Sequence, residues 1–357
     1  MKPNETPSAQ RATNRFFTFS RWIAILTVVG VCASLAMKAS WHGVKLLDVF
    51  WQGTVPLVPL ILLIAPHLWR RICPVAVLNV VAARIGREDH KVGLTRLPQR
   101  VSVFIKRYGV VLAASLLWVL VPMRLLLFNQ SAHATLFLIL AIAVAAITLG
   151  FSGHWKAAWC SSVCPVYPVE KLYGAAPVWS LPDARCVPAN DARSCFRCSL
   201  NCLDVPESEK QYWNVMERVG SKHAADVVRR FFLGSFPGFV LAYWFLSGTG
   251  VRPGFASSIF GVYATFLLFM FSSYGCYLLA HRVFGASRRV DLVAIALALN
   301  AYYAASSVGL SKVLSQLGGW YTEQAMTRAG IFGFVFCVSL FWLRRAWASD
   351  APSWSRW

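Results

Sequence analysis

The sequence predicts an all-α integral membrane protein of about eight transmembrane helices, on the criterion that a span needs roughly 20 mostly apolar residues. Three observations carry this. Of 357 residues, 57% are hydrophobic and only 14% are charged, too few to solvate a soluble globule of this size. The apolar residues fall into long runs separated by short basic stretches. Many of the 15 tryptophans, among them Trp22, Trp69, Trp155, Trp320 and Trp347, lie near the ends of those runs, as an interfacial aromatic belt would place them.

The expected spans are 21–37, 47–67, 108–127, 133–152, 230–248, 258–281, 290–311 and 328–346. The first follows a polar, basic tail, and no small-residue cleavage site lies within it, so it reads as a span and not as a signal peptide. A net charge of +20 would suit nucleic acid, but the basic residues sit between apolar runs and read as topology signals. Membrane lipid is the expected partner, and nucleic acid is not.

Lysine and arginine set the orientation. Lys2, Arg11, Arg15 and Arg21 precede the first span, and Arg70, Arg71, Arg84, Arg87, Lys91, Arg96, Arg100, Lys106 and Arg107 follow the second, so both regions are expected inside. With an even number of spans Arg229, Arg230, Arg282, Arg288, Arg289, Arg344 and Arg345 also fall inside, whereas the outer loop from Asn129 to His133 has no charge except Arg124 at its edge. The expected organisation is a cytoplasmic tail at 1–20 and a four-helix membrane region at 21–152 with a basic cytoplasmic loop at 70–107. A cytoplasmic cysteine-rich segment follows at 153–229, then a second four-helix region at 230–346 and a cytoplasmic tail at 347–357. Both termini are then cytoplasmic, in a bacterial inner membrane.

A short repeat crosses this plan. The second span runs into "RRICPVAVLN" and the fourth into "SSVCPVYPVE", so Cys-Pro-Val follows an inward-going span twice, at Cys73 and at Cys164. Trp69 stands in the first copy where Cys160 stands in the second.

The large inner segment holds Cys160, Cys164, Cys186, Cys195, Cys198 and Cys202, six of the ten cysteines. Glutathione keeps cytoplasmic thiols reduced, so metal binding is expected here and a disulfide framework is not. Cys195 and Cys198 have the two-residue gap of ferredoxin runs, Cys202 follows after three, and Cys160 to Cys164 repeats the three-residue gap ahead of Pro165. An iron–sulfur site is the favoured reading, in a cytoplasmic ferredoxin-like loop. Structural zinc competes, since four thiolates also satisfy a tetrahedral site. Six thiolates cannot fill two fully cysteine-ligated 4Fe–4S clusters, so one cluster is expected. Its ligands are Cys186, Cys195, Cys198 and Cys202, or a set in which Cys164 replaces one of them.

The Cys-x3-Cys-Pro at a span end, followed by a ferredoxin-like cysteine group, resembles the membrane iron–sulfur proteins of the NapH/NosR type. These include quinol-oxidising subunits of periplasmic nitrate reductase systems, regulators of nitrous oxide reduction and accessory proteins for cytochrome oxidase. The resemblance covers roughly His67 to Pro206. It implies electron transfer between the quinone pool or a cytoplasmic donor and a redox partner through 4Fe–4S clusters, as in a quinol dehydrogenase-like subunit of an oxidoreductase. By position, Cys160, Cys164 and Pro165 look like the second membrane-edge motif of the family, Cys73 and Pro74 like a remnant of the first, and Cys195, Cys198 and Cys202 like part of a ferredoxin repeat. Trp69 departs from the first motif, and Ala192 stands where a regular repeat would begin.

The remaining candidates have plainer readings. His67, His154 and His281 fall near inner span ends and read as interfacial histidines, with haem ligation disfavoured. Cys32, Cys276 and Cys337 lie within apolar spans and are expected to pack there. Glu170 and Lys171 read as a solvated helix face in preference to a quinone contact. Asp48, Gln52 and Asn300 are the polar residues in or at the ends of spans, without a clear acid–base pair, which argues against a proton-driven transporter. The alternative function is a metal-centre assembly or sensing protein with a structural 4Fe–4S or zinc site.

Overall fold

The computed structural model describes residues 22–23, 25–38, 40–41, 44–85, 99–152, 159–160, 162–174, 178, 222–248, 259–285, 288–318 and 324–348. Among the described residues the fold is helical, apart from a two-residue antiparallel ladder of β1 (Ser40–Trp41) with β2 (Val44–Lys45). The helices are α1 (Ile25–Ala36), α2 (Leu46–Ile64), α3 (Pro66–Ile72), α4 (Pro74–Ile85), α5 (Gln99–Met123), α6 (Ala132–Ser152), α7 (Tyr167–Tyr173), α8 (Lys222–Gly248), α9 (Ile259–Phe284), α10 (Arg288–Gly318) and α11 (Gln324–Ala348).

Among the described residues six helical segments are long and apolar enough to cross a membrane: Leu46–Ile64, Val111–Phe128, Ala132–Phe151, Ile259–Phe284, Arg289–Gln316 and Gln324–Ala348. They coincide with six of the eight expected spans. The first expected span falls on α1, a shorter apolar helix. The fifth falls on α8, which is not among the six; its first turns carry Lys222, Asp226, Arg229 and Arg230, and Gly234, Pro237 and Gly238 interrupt its apolar half. Large side chains such as Phe137, Phe260, Leu268, Phe271 and Val283 stand exposed on these helices. Apolar faces of that extent are stable against lipid and not against water.

Proline sets several boundaries. Pro66 occupies the first turn of α3 and Pro74 the first of α4, positions where the missing N–H is not needed. Ahead of them Ala65 and Cys73 leave the helical region, at φ −146°, ψ 71° and φ −55°, ψ 117°, because a proline ring crowds the preceding residue out of it. Two π-helical stretches, Val49–Thr54 inside α2 and Arg124–Phe128 continuing α5, add a residue to the turn.

Side-chain contacts give the order of the bundle. α8 packs on α9 and α10, α10 packs on α11, and α4 packs on α6. α5 joins the two groups: Trp118 meets Phe231 and Phe232 of α8, and the Tyr263 hydroxyl of α9 donates to the Val119 carbonyl at 3.0 Å. The main core runs from Leu62 and Leu63 through Phe232, Phe239, Phe266, Leu299 and Tyr303 to Trp342. α8 contributes most to it, through Phe232, Leu233, Phe236, Phe239, Val240, Ala242, Tyr243 and Leu246, while Val227, Trp244 and Phe245 stay exposed. At one end of the bundle the Trp342 indole donates to the Tyr173 carbonyl at 3.0 Å, and Val178 donates its N–H to the Leu63 carbonyl at 3.1 Å. At the opposite end Gly309 of α10 lies against Gln52, and Trp51 donates through Nε1 to Thr135 Oγ1 at 3.0 Å.

Candidate functional site

Cys73 and Cys164 come together in one part of the fold. Both belong to one apolar cluster with Cys160, Val75, Val163, Tyr167, Trp159, Ala76, Ala113 and Ala146, and Cys73 acts electrostatically on Cys164. The two Cys-Pro-Val tripeptides are thus neighbours in space, and the repeat in the sequence is a repeat in the structure.

Each copy is shaped by its proline. Cys73 ends α3, giving its N–H to the Trp69 carbonyl at 2.8 Å, and opens α4, its carbonyl receiving the Val77 N–H at 3.0 Å. In the second copy the Trp159 carbonyl accepts from Val163 and Cys164, both at 3.0 Å, and the Cys164 carbonyl accepts from Tyr167 at 3.0 Å as α7 begins. A compact turn therefore carries Cys160 and Cys164, and a helix leads away from each Cys-Pro. The position of Trp69 in the first copy corresponds to that of Cys160 in the second, so the first turn presents one thiol and the second presents two.

α5 lies directly behind this turn. A Cβ on Gly109 would stand 2.9 Å from the Cβ of Ser162 and 3.0 Å from its Cα, so the helix approaches the backbone between Cys160 and Cys164 as closely as it does because residue 109 has no side chain. Asn79, fully buried on α4, donates through Nδ2 to the Ala146 carbonyl at 2.8 Å and ties α4 to α6 beside the same cluster. Its Oδ1 is buried without a partner among the described residues. Neither residue is conspicuous in the sequence. A small residue facing a cysteine turn and a lone amide in an apolar helix become meaningful only once the helices are placed.

Cys164 retains a partly accessible edge, yet protein closes around the thiol. Burial, and after it the neighbouring Cys73, pushes this thiol up to about 12; Glu170 adds to the effect. Glu170 is itself buried, at 4% exposure, on the first turn of α7. The expectation of a solvated face at Glu170 and Lys171 is corrected here: α7 is wedged under α2 and α11 by Tyr173 and Leu172, which turns the carboxylate inward, while the Lys171 ammonium lies 5.9 Å over the Tyr167 ring.

Cys186, Cys195, Cys198 and Cys202 lie outside the described residues. Among the described residues no group of three or more His, Cys, Asp or Glu side chains is arranged to hold a metal ion. Cys73, Cys160 and Cys164 by themselves form no such group. Both flanks of the 179–221 segment belong to the cysteine end of the bundle. Val178 is held there by the Leu63 carbonyl and by Arg345 Nη1, which donates to its carbonyl at 2.9 Å. α8 starts from that end too, with Arg230 acting on Tyr277 near the foot of α9.

His281 is paired with an acid: its Nε2 lies 2.9 Å from Asp291 Oδ1, which also accepts from the Tyr277 hydroxyl at 2.8 Å. His154 and the side chain of His67 lie outside the described residues. Cys276 and Cys337 are exposed on their helices, which corrects their expected packing role; both fall on the lipid-facing sides of α9 and α11. Asn300 is bound, through Nδ2, to the Ala296 carbonyl and to Ser339 Oγ of α11.

No protein-family model matches the chain, and neither curated proteins nor solved structures give a match. The class defined by fold and site is an all-α, multi-pass membrane protein. A cysteine pair from two Cys-Pro turns sits at one end of its helical bundle.

Proposed function

We propose that the protein is a membrane-bound iron–sulfur electron-transfer protein, relaying electrons between the quinone pool or a cytoplasmic donor and a redox partner. The observation that carries this reading is the gathering of Cys73, Cys160 and Cys164 in one apolar cluster at the end of the bundle that holds Val178 and the start of α8. Cys186, Cys195, Cys198 and Cys202 fall between those two points in the sequence, and five of these seven cysteines have ferredoxin-like spacing. Cys186, Cys195, Cys198 and Cys202, or a set in which Cys164 replaces one of them, would hold one 4Fe–4S cluster, which supplies a one-electron couple. The apolar wall of Trp159, Tyr167 and Val163 limits water beside Cys164 and so lowers the local polarity that helps set a cluster potential.

The loops gathered at this end are the arginine- and lysine-rich ones, which supports a cytoplasmic cysteine end in a bacterial inner membrane. α1 and α8 complete eight crossings in this reading, and both termini are cytoplasmic.

The test is iron, sulfide and zinc analysis of anaerobically purified protein, with an ultraviolet–visible spectrum, for the wild type and for Cys198→Ala and Cys164→Ala. About four irons per chain, visible absorption bleached by dithionite and its loss in the variants support a single redox cluster. Stoichiometric zinc without iron overturns electron transfer and leaves a structural metal domain of the assembly or sensing type.

A further inference from the structure

The bundle end opposite the cysteines contains a buried guanidinium. Arg124 is 7% exposed and belongs to the π-helical stretch Arg124–Phe128 at the end of a span. Its Nε donates to Asn129 Oδ1 at 3.2 Å, Nη2 donates to the Trp51 carbonyl, and Tyr302 is a further hydrogen-bond partner. The guanidinium carbon lies 4.9 Å over the Trp51 ring and 5.3 Å over the Tyr243 ring.

All of these partners are neutral. Among the described residues no carboxylate lies within ion-pair distance of Arg124, and Asp48, the acid at this end of α2, instead accepts from Gln52 Nε2 at 3.1 Å. Arginine cannot shed its proton, so carbonyl, amide and phenol oxygens satisfy some of its five N–H groups, and among the described residues its charge has no counter-charge. An ionised side chain of this kind inside a membrane-spanning bundle marks a site by default. A second positive feature lies beside it. α6, 21 residues long, begins at Ala132, and its first turn is bound to the Arg124 neighbourhood by Thr135, which accepts from Trp51 Nε1 and donates to the Phe128 carbonyl at 2.7 Å. The positive end of the α6 dipole thus adds to the guanidinium.

We propose that Arg124, with Asn129 and the first turn of α6, binds a phosphate-group oxyanion, carried by a phospholipid headgroup or by a free phosphate. A phosphate oxyanion supplies the negative charge that these neutral partners lack, and the span ends only at Phe128, the level at which headgroup phosphates meet a bilayer. Leu127, 41% exposed beside it, provides apolar surface for an acyl chain. The site is separate from the cysteine end: Trp51 and Leu63, at the two ends of α2, are about 18 Å apart at 1.5 Å per residue. It does not rest on the electron-transfer reading.

The experiment uses full-length protein in detergent, titrated in one arm with phosphatidylglycerol in mixed micelles and in the other with inorganic phosphate. Bound ligand per chain is read by native mass spectrometry and the thermal midpoint is followed in parallel. Arg124→Gln removes the charge. Asn129→Asp keeps Arg124 and places a carboxylate beside its Nε, supplying the counter-charge from within, so this variant is expected to fold even if the first is not. Saturable binding to the wild type, at least tenfold weaker in Asn129→Asp, is expected; the arm that responds identifies the source. No saturable binding in either arm, or undiminished binding in Asn129→Asp, overturns the proposal.

Discussion

The indole N–H of Trp342 donates to the Tyr173 carbonyl at 3.0 Å, joining the last helix of the chain to the short helix that follows the second Cys-Pro. Both side chains are buried, with ring centroids 6.5 Å apart in an edge-to-face arrangement. The cysteine turn is therefore seated on helices from the far end of the sequence. This explains how α7, only seven residues long, keeps a fixed place.

Replacing Trp342 by Phe removes the donor and leaves the Tyr173 carbonyl buried without its partner. A loss of about 1–3 kcal/mol is expected, against about 3–5 kcal/mol for Trp342→Ala, which also opens a cavity. Thermal or denaturant unfolding of the purified protein in detergent gives the comparison, and a Trp342→Phe protein as stable as the wild type would show that the hydrogen bond contributes little.

In metal-free protein Cys164 should react slowly with iodoacetamide. The thiolate is the nucleophile, and with a thiol pushed up to about 12 the reactive fraction at pH 8 is about a thousandfold below that of an ordinary cysteine. Because the shift is upward, the rate should climb about tenfold per pH unit from pH 8 towards pH 12, whereas an ordinary thiol levels off above about pH 9. Peptide mapping after timed alkylation reads the rate at this cysteine, and an early plateau would contradict the burial argument.

Gly238 and Gly275 make a matched pair. A Cβ at Gly238 would stand 2.0 Å from the Phe269 carbonyl oxygen and 2.6 Å from Ser273 Cβ, so Gly238→Ala forces α8 and α9 apart. At Gly275 nothing lies within 4 Å, and alanine there should gain about 1 kcal/mol of helix propensity. Size-exclusion profiles and thermal midpoints should separate the two, with Gly238→Ala giving little monodisperse protein and Gly275→Ala behaving as the wild type or better.

Asp291 holds the foot of the α9–α10 hairpin through one oxygen, Oδ1, which serves both Tyr277 and His281. Tyr277→Phe should cost about 1 kcal/mol, and Asp291→Ala more, because it strands both partners. In the Asp291→Ala background, Tyr277→Phe should have almost no further effect. Additive losses in this double-mutant cycle would mean that the two side chains stabilise the hairpin independently.

Some of this was legible without coordinates. The six spans could be placed because a run of some 20 apolar residues has few stable solutions other than crossing a bilayer. Cys160 and Cys164 could be singled out because a three-residue gap before proline is an unusual arrangement of reactive side chains. The place of α8 was not legible: nothing in one dimension shows that its side chains Phe232, Phe236, Phe239 and Val240 are buried among other helices. Glu170 was misread because a charged pair at a helix start is ordinarily solvated. What buries it is α7 lodging against α2 and α11, and these contacts span more than a hundred residues of chain.

The sequence by itself determined the class of this protein, the positions of most of its helices and the turns at which its Cys-Pro tripeptides interrupt them, since apolar length and proline sterics are local properties. Only the tertiary structure decided that Cys73 shares a cluster with Cys164, that Gly109 admits the cysteine turn, and that Arg124 is enclosed by Trp51, Tyr243 and Tyr302 with no carboxylate within ion-pair distance among the described residues. These are meetings between distant segments. They follow from which helix faces pack together, and in a chain apolar on nearly every face that choice rests on a few small and polar residues whose partners no local pattern reveals.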